Sequence, residues 1–226
     1  MHEQLTRHKF TFLLAALVLL LIVAPLVENT PVGGALFTIG ITAVFITGVI
    51  ANRERRWIFR TALVVAVFAI PISWAALFTR SNPLDLSQYL IVVLFCGMTA
   101  AMILIAVMRE YMATAHAVVG AICVYLLIGL TWAMIYSAIE YVEVEPFKFP
   151  ERRRKAVVGV EHSSFSQLTY FSFVTMSTLG YGDITPQTPL AETACWMQAI
   201  VGQLYIAILI ARLISAMPIP KRDGGG

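Results

Sequence analysis

Thr175-Met176-Ser177-Thr178-Leu179-Gly180-Tyr181-Gly182-Asp183 lies between two long apolar runs near the C-terminal end of the chain. Its glycines stand two residues apart. Glycine accepts positive φ without the penalty a Cβ brings, so this spacing suits a ribbon that takes that conformation at both positions. Gly-Tyr-Gly by itself is also compatible with an ordinary turn, and the surroundings decide between the two. Just upstream, Ser164 with Gln167 three residues later has the spacing of a capping box. The spacing predicts a helix over Phe165–Met176, about 18 Å long at 1.5 Å per residue. That is too short to cross a bilayer and suits a helix that enters halfway.

The 226-residue chain is 59% hydrophobic and 13% charged, with a mean hydropathy of +0.80. An average soluble domain is about a quarter charged. Six uncharged or nearly uncharged runs, at 10–27, 32–51, 57–79, 86–108, 113–139 and 190–216, approach or exceed the roughly 20 residues that spanning requires. Lipid offers no partner to open backbone groups, so helix is the expected form. The fold class is an all-α membrane protein with six transmembrane helices and one re-entrant helix. The run 10–27 is too long for the core of a cleaved leader and reads as a first span. Pro71 inside the third run predicts a kink. Cys96, Cys123 and Cys195 fall inside spans without metal-ligand spacing and read as packing residues. A net charge of +3, spread around the span ends, points to no nucleic-acid partner.

The connections orient the bundle. With the N-terminus inside, Arg7, Lys9, Arg53, Arg55, Arg56, Arg60, Arg109, Arg212, Lys221 and Arg222 face the cytoplasm, ten of the sixteen basic residues. Five of the others, Lys148, Arg152, Arg153, Arg154 and Lys155, sit in one outer loop that runs against the rule and is balanced by Glu140, Glu143, Glu145, Glu151 and Glu161. The expected topology is multi-pass in the inner (plasma) membrane, both termini cytoplasmic, with the Asp183 end of the ribbon outside. The loop from Glu140 to His162, interrupted by Pro146 and Pro150, reads as a solvated turret. Trp132, Tyr136 and Tyr141 approach the outer boundary, where aromatic residues are favoured.

The stretch TMSTLGYGD resembles the potassium-channel signature TxxTxGYGD at every fixed position, and residues 113–217 resemble the pore module of bacterial-type potassium channels. The resemblance implies that carbonyls of Thr178, Leu179, Gly180 and Tyr181 replace the water of a K⁺ ion, with Gly182 completing the selectivity filter and Thr175, Ser177 and Asp183 supporting it. It implies that the C-terminal end of the short helix turns its partial negative charge toward the pore centre. It further implies a homotetramer, each chain with three identical partners in membrane lipid, K⁺ as the bound ion and no organic cofactor. Gly202, twenty residues after Gly182, matches the hinge glycine of several channels, with close helix packing as the alternative. Leu179 departs from the commoner Val or Ile. Phe171 and Val174 stand where some members carry a Trp and a Glu that brace the filter aspartate, which leaves Tyr170 or water for Asp183.

Residues 1–110 form an expected four-helix N-terminal domain, 111–217 the pore domain and 218–226 a short tail with no room for a ligand-binding domain. The fourth run carries no Lys or Arg inside it, so steep voltage sensing of the charged-helix kind is not expected. His116 reads as a packing or interfacial residue, with pH sensing as the sharper alternative. No nucleophile, metal cluster or phosphate loop suggests an enzyme. A non-conducting membrane adaptor with a pore-like fold and a potassium transporter subunit are the competing classes. The single intact GYGD argues against the transporter.

Overall fold

In the computed structural model, residues 9–28, 30, 32–51, 56–79, 82–109, 114–150 and 165–215 are described. The Ser164 cap, the 52–55 connection, the basic part of the long loop at 151–162 and the C-terminal tail lie outside them. The described elements are α1 (Lys9–Val27), α2 (Gly33–Ala51), α3 (Arg56–Thr79), α4 (Asn82–Arg109), α5 (Ala115–Val142), β1 (Phe147–Lys148), α6 (Phe165–Met176), β2 (Thr185–Pro186) and α7 (Pro189–Ser215). This is the architecture of an all-α membrane protein. Among the described residues, five helices are long and apolar enough to cross a membrane: Phe10–Val27, Gly33–Ala51, Leu86–Arg109, Ala115–Val142 and Pro189–Arg212. The third expected run also folds as a helix, α3, but among the described residues its apolar part, Phe59–Ala75, is shorter. The backbone stays helical through Pro71, so the lost hydrogen bond is absorbed inside one helix rather than ending it.

Contacts fix the helix directions. Phe10, at the start of α1, stacks on His116, at the start of α5, with ring centroids 4.4 Å apart. The Cys123 thiol donates to the Phe10 carbonyl at 3.3 Å. At the other end, α1 reaches the N-terminus of α6, so α1 and α5 run parallel. Gly120 of α5 lies against Val107 and Gly97 of α4 against Thr131, which makes α4 and α5 antiparallel. Leu20 packs on Gly40, making α1 and α2 an antiparallel hairpin. Phe45 meets Phe95 edge-on at 4.5 Å, joining α2 to α4. Since α2 and α4 run the same way, α3 must return the chain between them, and Trp74 Nε1 donates to Thr42 Oγ1 at 3.3 Å along that return. His116 thus serves packing against Phe10.

Two apolar clusters result. The larger joins α1 to α5 and receives Tyr205 of α7. The smaller, at the opposite end of α5, gathers Tyr136, Ile139, Phe147, Leu168, Phe171, Ile184, Ala191 and Ala194. Here the structure corrects the turret reading. Glu140 belongs to α5, and Phe147 is buried between the rings of Tyr136 and Phe171, 5.4 Å from each. β1 pairs antiparallel with β2, Phe147 opposite Pro186 and Lys148 opposite Thr185. The described start of the loop is therefore a packed strap paired with the segment that follows Asp183.

Candidate functional site

α6 ends where the sequence predicts, and the way it ends builds the ribbon. Ser177 N–H donates to the Phe173 carbonyl, Thr178 N–H to Thr175 and Leu179 N–H to Val174, each at 3.0 Å. The last two form the crossed pair of a Schellman motif, which needs a left-handed residue just past the helix. That residue is Thr178, with φ +58°. A β-branched residue is a true outlier there. The cost of holding an L-residue left-handed, about 1–2 kcal/mol, is offset by the two hydrogen bonds that close the helix. Gly180 follows at φ +53° and Gly182 at +73°, while Leu179 and Tyr181 are not among the positive-φ residues. The sign of φ therefore alternates over five residues. Alternating right- and left-handed local geometry reverses the rotation of successive peptide planes, the backbone form that a ribbon with its carbonyls along one edge requires. The glycine expectation holds at both positions. Thr178 is the positive φ that glycine counting misses.

The ribbon is open on one side. A Cβ added at Gly180 or Gly182 would meet no atom within 4 Å. Leu179 is 55% and Tyr181 66% exposed. Two large side chains on an ordered ribbon are thus more than half exposed. α7 repeats the pattern: Ala191, Ala194, Gln198, Gly202 and Tyr205 face inward, while Trp196, Ile200, Leu204 and Ile208 are exposed.

Behind the ribbon, α6 is locked in place. The Tyr170 hydroxyl donates to Asp183 Oδ2 at 3.0 Å, the substitute brace that the sequence leaves available. Ser177 Oγ donates to the Val174 carbonyl at 3.3 Å, and Thr175 supplies the carbonyl that receives Thr178 N–H. Phe171 and Val174 are buried apolar residues. Loss of the brace in Tyr170→Phe is expected to cost about 1.5–3 kcal/mol, the range of a hydrogen bond to a charged group, read as earlier thermal unfolding.

A buried polar chain, not anticipated from the sequence, crosses three helices. The Tyr136 hydroxyl donates to Gln198 Oε1. Gln198 Nε2 donates to the Ser172 carbonyl at 2.9 Å and to Ser172 Oγ at 2.7 Å. Ser172 Oγ donates to the Gly129 carbonyl at 2.7 Å. Every donor in the chain finds an acceptor, as a water-free interior demands. Gln198→Leu removes the acceptor of the Tyr136 hydroxyl and both donors to Ser172, and should cost about 1–3 kcal/mol, read as earlier thermal unfolding. The signal for Gln198 was present: an uncharged polar residue inside a span, on the same stripe as Ala191 and Ala194.

Gly202 is closely packed against the end of α6. A Cβ there would lie 2.5 Å from the Met176 carbonyl oxygen and 2.6 Å from Met176 Cγ, and α7 passes through it as one unbroken helix. At the start of α7, Thr188 caps with Pro189 in the first position: Ala191 N–H donates to Thr188 Oγ1 at 3.4 Å, and the same hydroxyl donates to Glu143.

Residues 120–218, less than half of the chain, match a family model described as "Ion channel". Among curated proteins, the chain is similar to "Two-pore potassium channel 4" of Arabidopsis thaliana, 37% identical over 57 residues, 25% of this chain and 20% of that protein. It is similar to "Two pore potassium channel c" of Oryza sativa subsp. japonica, 41% identical over 46 residues, 20% of this chain and 10% of the relative. It also resembles "Inward rectifier potassium channel Kirbac3.1" of Paramagnetospirillum magnetotacticum, 35% identical over 57 residues, 25% of this chain and 19% of the relative. The matched segments span no more than about a fifth of the length of these relatives. No solved structure matches the chain. The family match contains α6, the ribbon and α7, and leaves α1 to α4 outside it.

Proposed function

We propose that the chain is one subunit of a potassium-selective channel that passes K⁺ down its electrochemical gradient. The observation that carries this reading is the alternation of positive φ at Thr178, Gly180 and Gly182 directly after a helix too short to span. The carbonyls of Thr178, Leu179, Gly180 and Tyr181 act as the K⁺ ligands, with the Thr178 hydroxyl at the inner end. Gly182 completes the filter, and Thr175, Ser177 and Asp183 support it. Four chains surround one pore, because one wall cannot coordinate an ion and such filters are built from four loops. The exposed Leu179, Tyr181 and α7 face support that assembly. The ion-channel family match and the potassium-channel names of the relatives support the same ion.

The topology of the reading is six spans with both termini in the cytoplasm of a plasma-membrane protein. The return of α3 between parallel α2 and α4 supports its crossing as well. α4 carries no basic residue before Arg109, so open probability should change little with voltage. A steep conductance–voltage curve worth several gating charges would refute that. The experiment for the function is a reversal potential in planar bilayers with potassium on one side and sodium on the other. A value near the potassium equilibrium potential supports the reading, and robust current reversing near zero overturns its selectivity.

A further inference from the structure

α6 is held at three heights. Its middle is fixed where Ser172 meets Gln198 and Gly129. Its C-terminal end lies on Gly202. The third hold comes from outside the residues matched to the ion-channel family. Ser166 Oγ, in the first turn of α6, donates to Glu28 Oε2, one residue past the end of α1. Beside it the ring of Phe37 from α2 packs on Phe165, with centroids 4.5 Å apart and planes at 57°. A carboxylate beside the first turn of a helix lies at its positive dipole end, which favours an anion. The α1–α2 corner thus grips the end of α6 farthest from the ribbon.

We propose that Glu28 is a positioning residue for the 178–182 ribbon, acting through α6. The proposal rests on the reading of that ribbon as the potassium path. α6 is a short rigid rod pinned near its centre. Ser166 lies six residues before Ser172, about 9 Å along the helix, and Met176, the last residue of α6, lies four residues after it, about 6 Å. With its middle and C-terminal end also held, α6 has its axis completed by the Glu28 contact at the outer end, and losing that contact strains the Met176 end on which the ribbon is built. Ribbon and rod move together, because the N–H groups of Thr178 and Leu179 are bonded to α6 carbonyls. The grip has a fixed base: Phe10 stacks on His116 and Leu20 seats on Gly40, so the hairpin is referenced to α5. The N-terminal helices then set the tilt of α6 and, through it, the ion path.

The test uses the full chain in proteoliposomes, with wild-type potassium-over-sodium flux as the control. If wild type shows no selective flux, the channel reading fails, and cross-linking still judges the contact. Oxidising Glu28→Cys/Ser166→Cys should give a faster-migrating single-chain band that neither single variant gives. A band at the mass of two chains, or no cross-link, overturns the grip within one chain. Glu28→Ala should lower potassium flux per assembled channel about tenfold, the range of a lost hydrogen bond to a charged group, and should reduce potassium-over-sodium selectivity. Glu28→Gln, which keeps an acceptor for Ser166, should retain more than half of the flux. Ser166→Ala should add nothing to Glu28→Ala. If Glu28→Ala lowers only yield or thermal stability, with flux per channel and selectivity at wild-type values, Glu28 is merely structural and the proposal is wrong. Additive losses from Glu28→Ala and Ser166→Ala overturn it too.

Discussion

Gly180→Ala is expected to reduce potassium flux about a thousandfold or more while leaving the helices folded. At φ +53° the new side chain would sit in the left-handed region, where an L-residue costs about 1–2 kcal/mol. No neighbour in the chain blocks a Cβ at this position, so the penalty is conformational and falls on the ribbon alone. In the proposed fourfold assembly it applies in every copy, about 4–8 kcal/mol against the conducting geometry. Thr178 bears a similar penalty because two hydrogen bonds of the helix cap hold it. Gly180 has only a long contact to the Val174 carbonyl, at 3.4 Å, to set against it. Leu179→Val is the internal control, since its proposed contribution is a backbone carbonyl and its side chain is more than half exposed. Flux assays of both variants check this. Near-normal flux in Gly180→Ala would sink the ribbon as the ion path.

Much of this architecture is written in local chemistry. Hydropathy marks the helices because each buries its backbone within itself, a property of single segments. The bounds of α6 follow from its apolar run and from the polar, glycine-bearing residues that end it. Gly180 and Gly182 announce positive φ because glycine is the residue chosen for it. Thr178 does not, because its left-handed turn is imposed by the Schellman hydrogen bonds and not by its own preference. Gln198, Ser172 and Tyr136 are far apart in sequence, and only the crossing of three helices makes them one chain of hydrogen bonds. Phe147 looked like turret because its flanks are charged and proline-bearing; its ring is claimed by a cluster formed from α5 and α6. Glu28 carries no local signal of its role, because its partner lies 138 positions away. What is missed is consistently the pairing between elements, and here that pairing holds the ribbon.

Gly202→Ala is expected to destabilise the protein and disturb selectivity together, rather than simply keep a gate shut. A hinge glycine acts by letting its helix bend, so an alanine there should leave the resting structure intact and lower opening alone. The geometry argues otherwise. The atom a new Cβ would meet, at 2.5 Å, is the backbone oxygen of Met176, which cannot swing aside as a side chain can. Either α7 or the end of α6 must move. Overpacking of this kind costs about 1–3 kcal/mol. Gln198, one turn earlier on α7, resists separation by its bonds to Ser172, so the strain passes to the other side of the contact. Met176 is two residues before Thr178, and its displacement reaches the first carbonyl of the ribbon. Thermal dissociation and bi-ionic reversal potential of the same preparation separate the two mechanisms. Earlier dissociation with a reversal potential shifted toward zero follows from packing. Unchanged stability and selectivity with reduced open probability would return Gly202 to the role of a hinge.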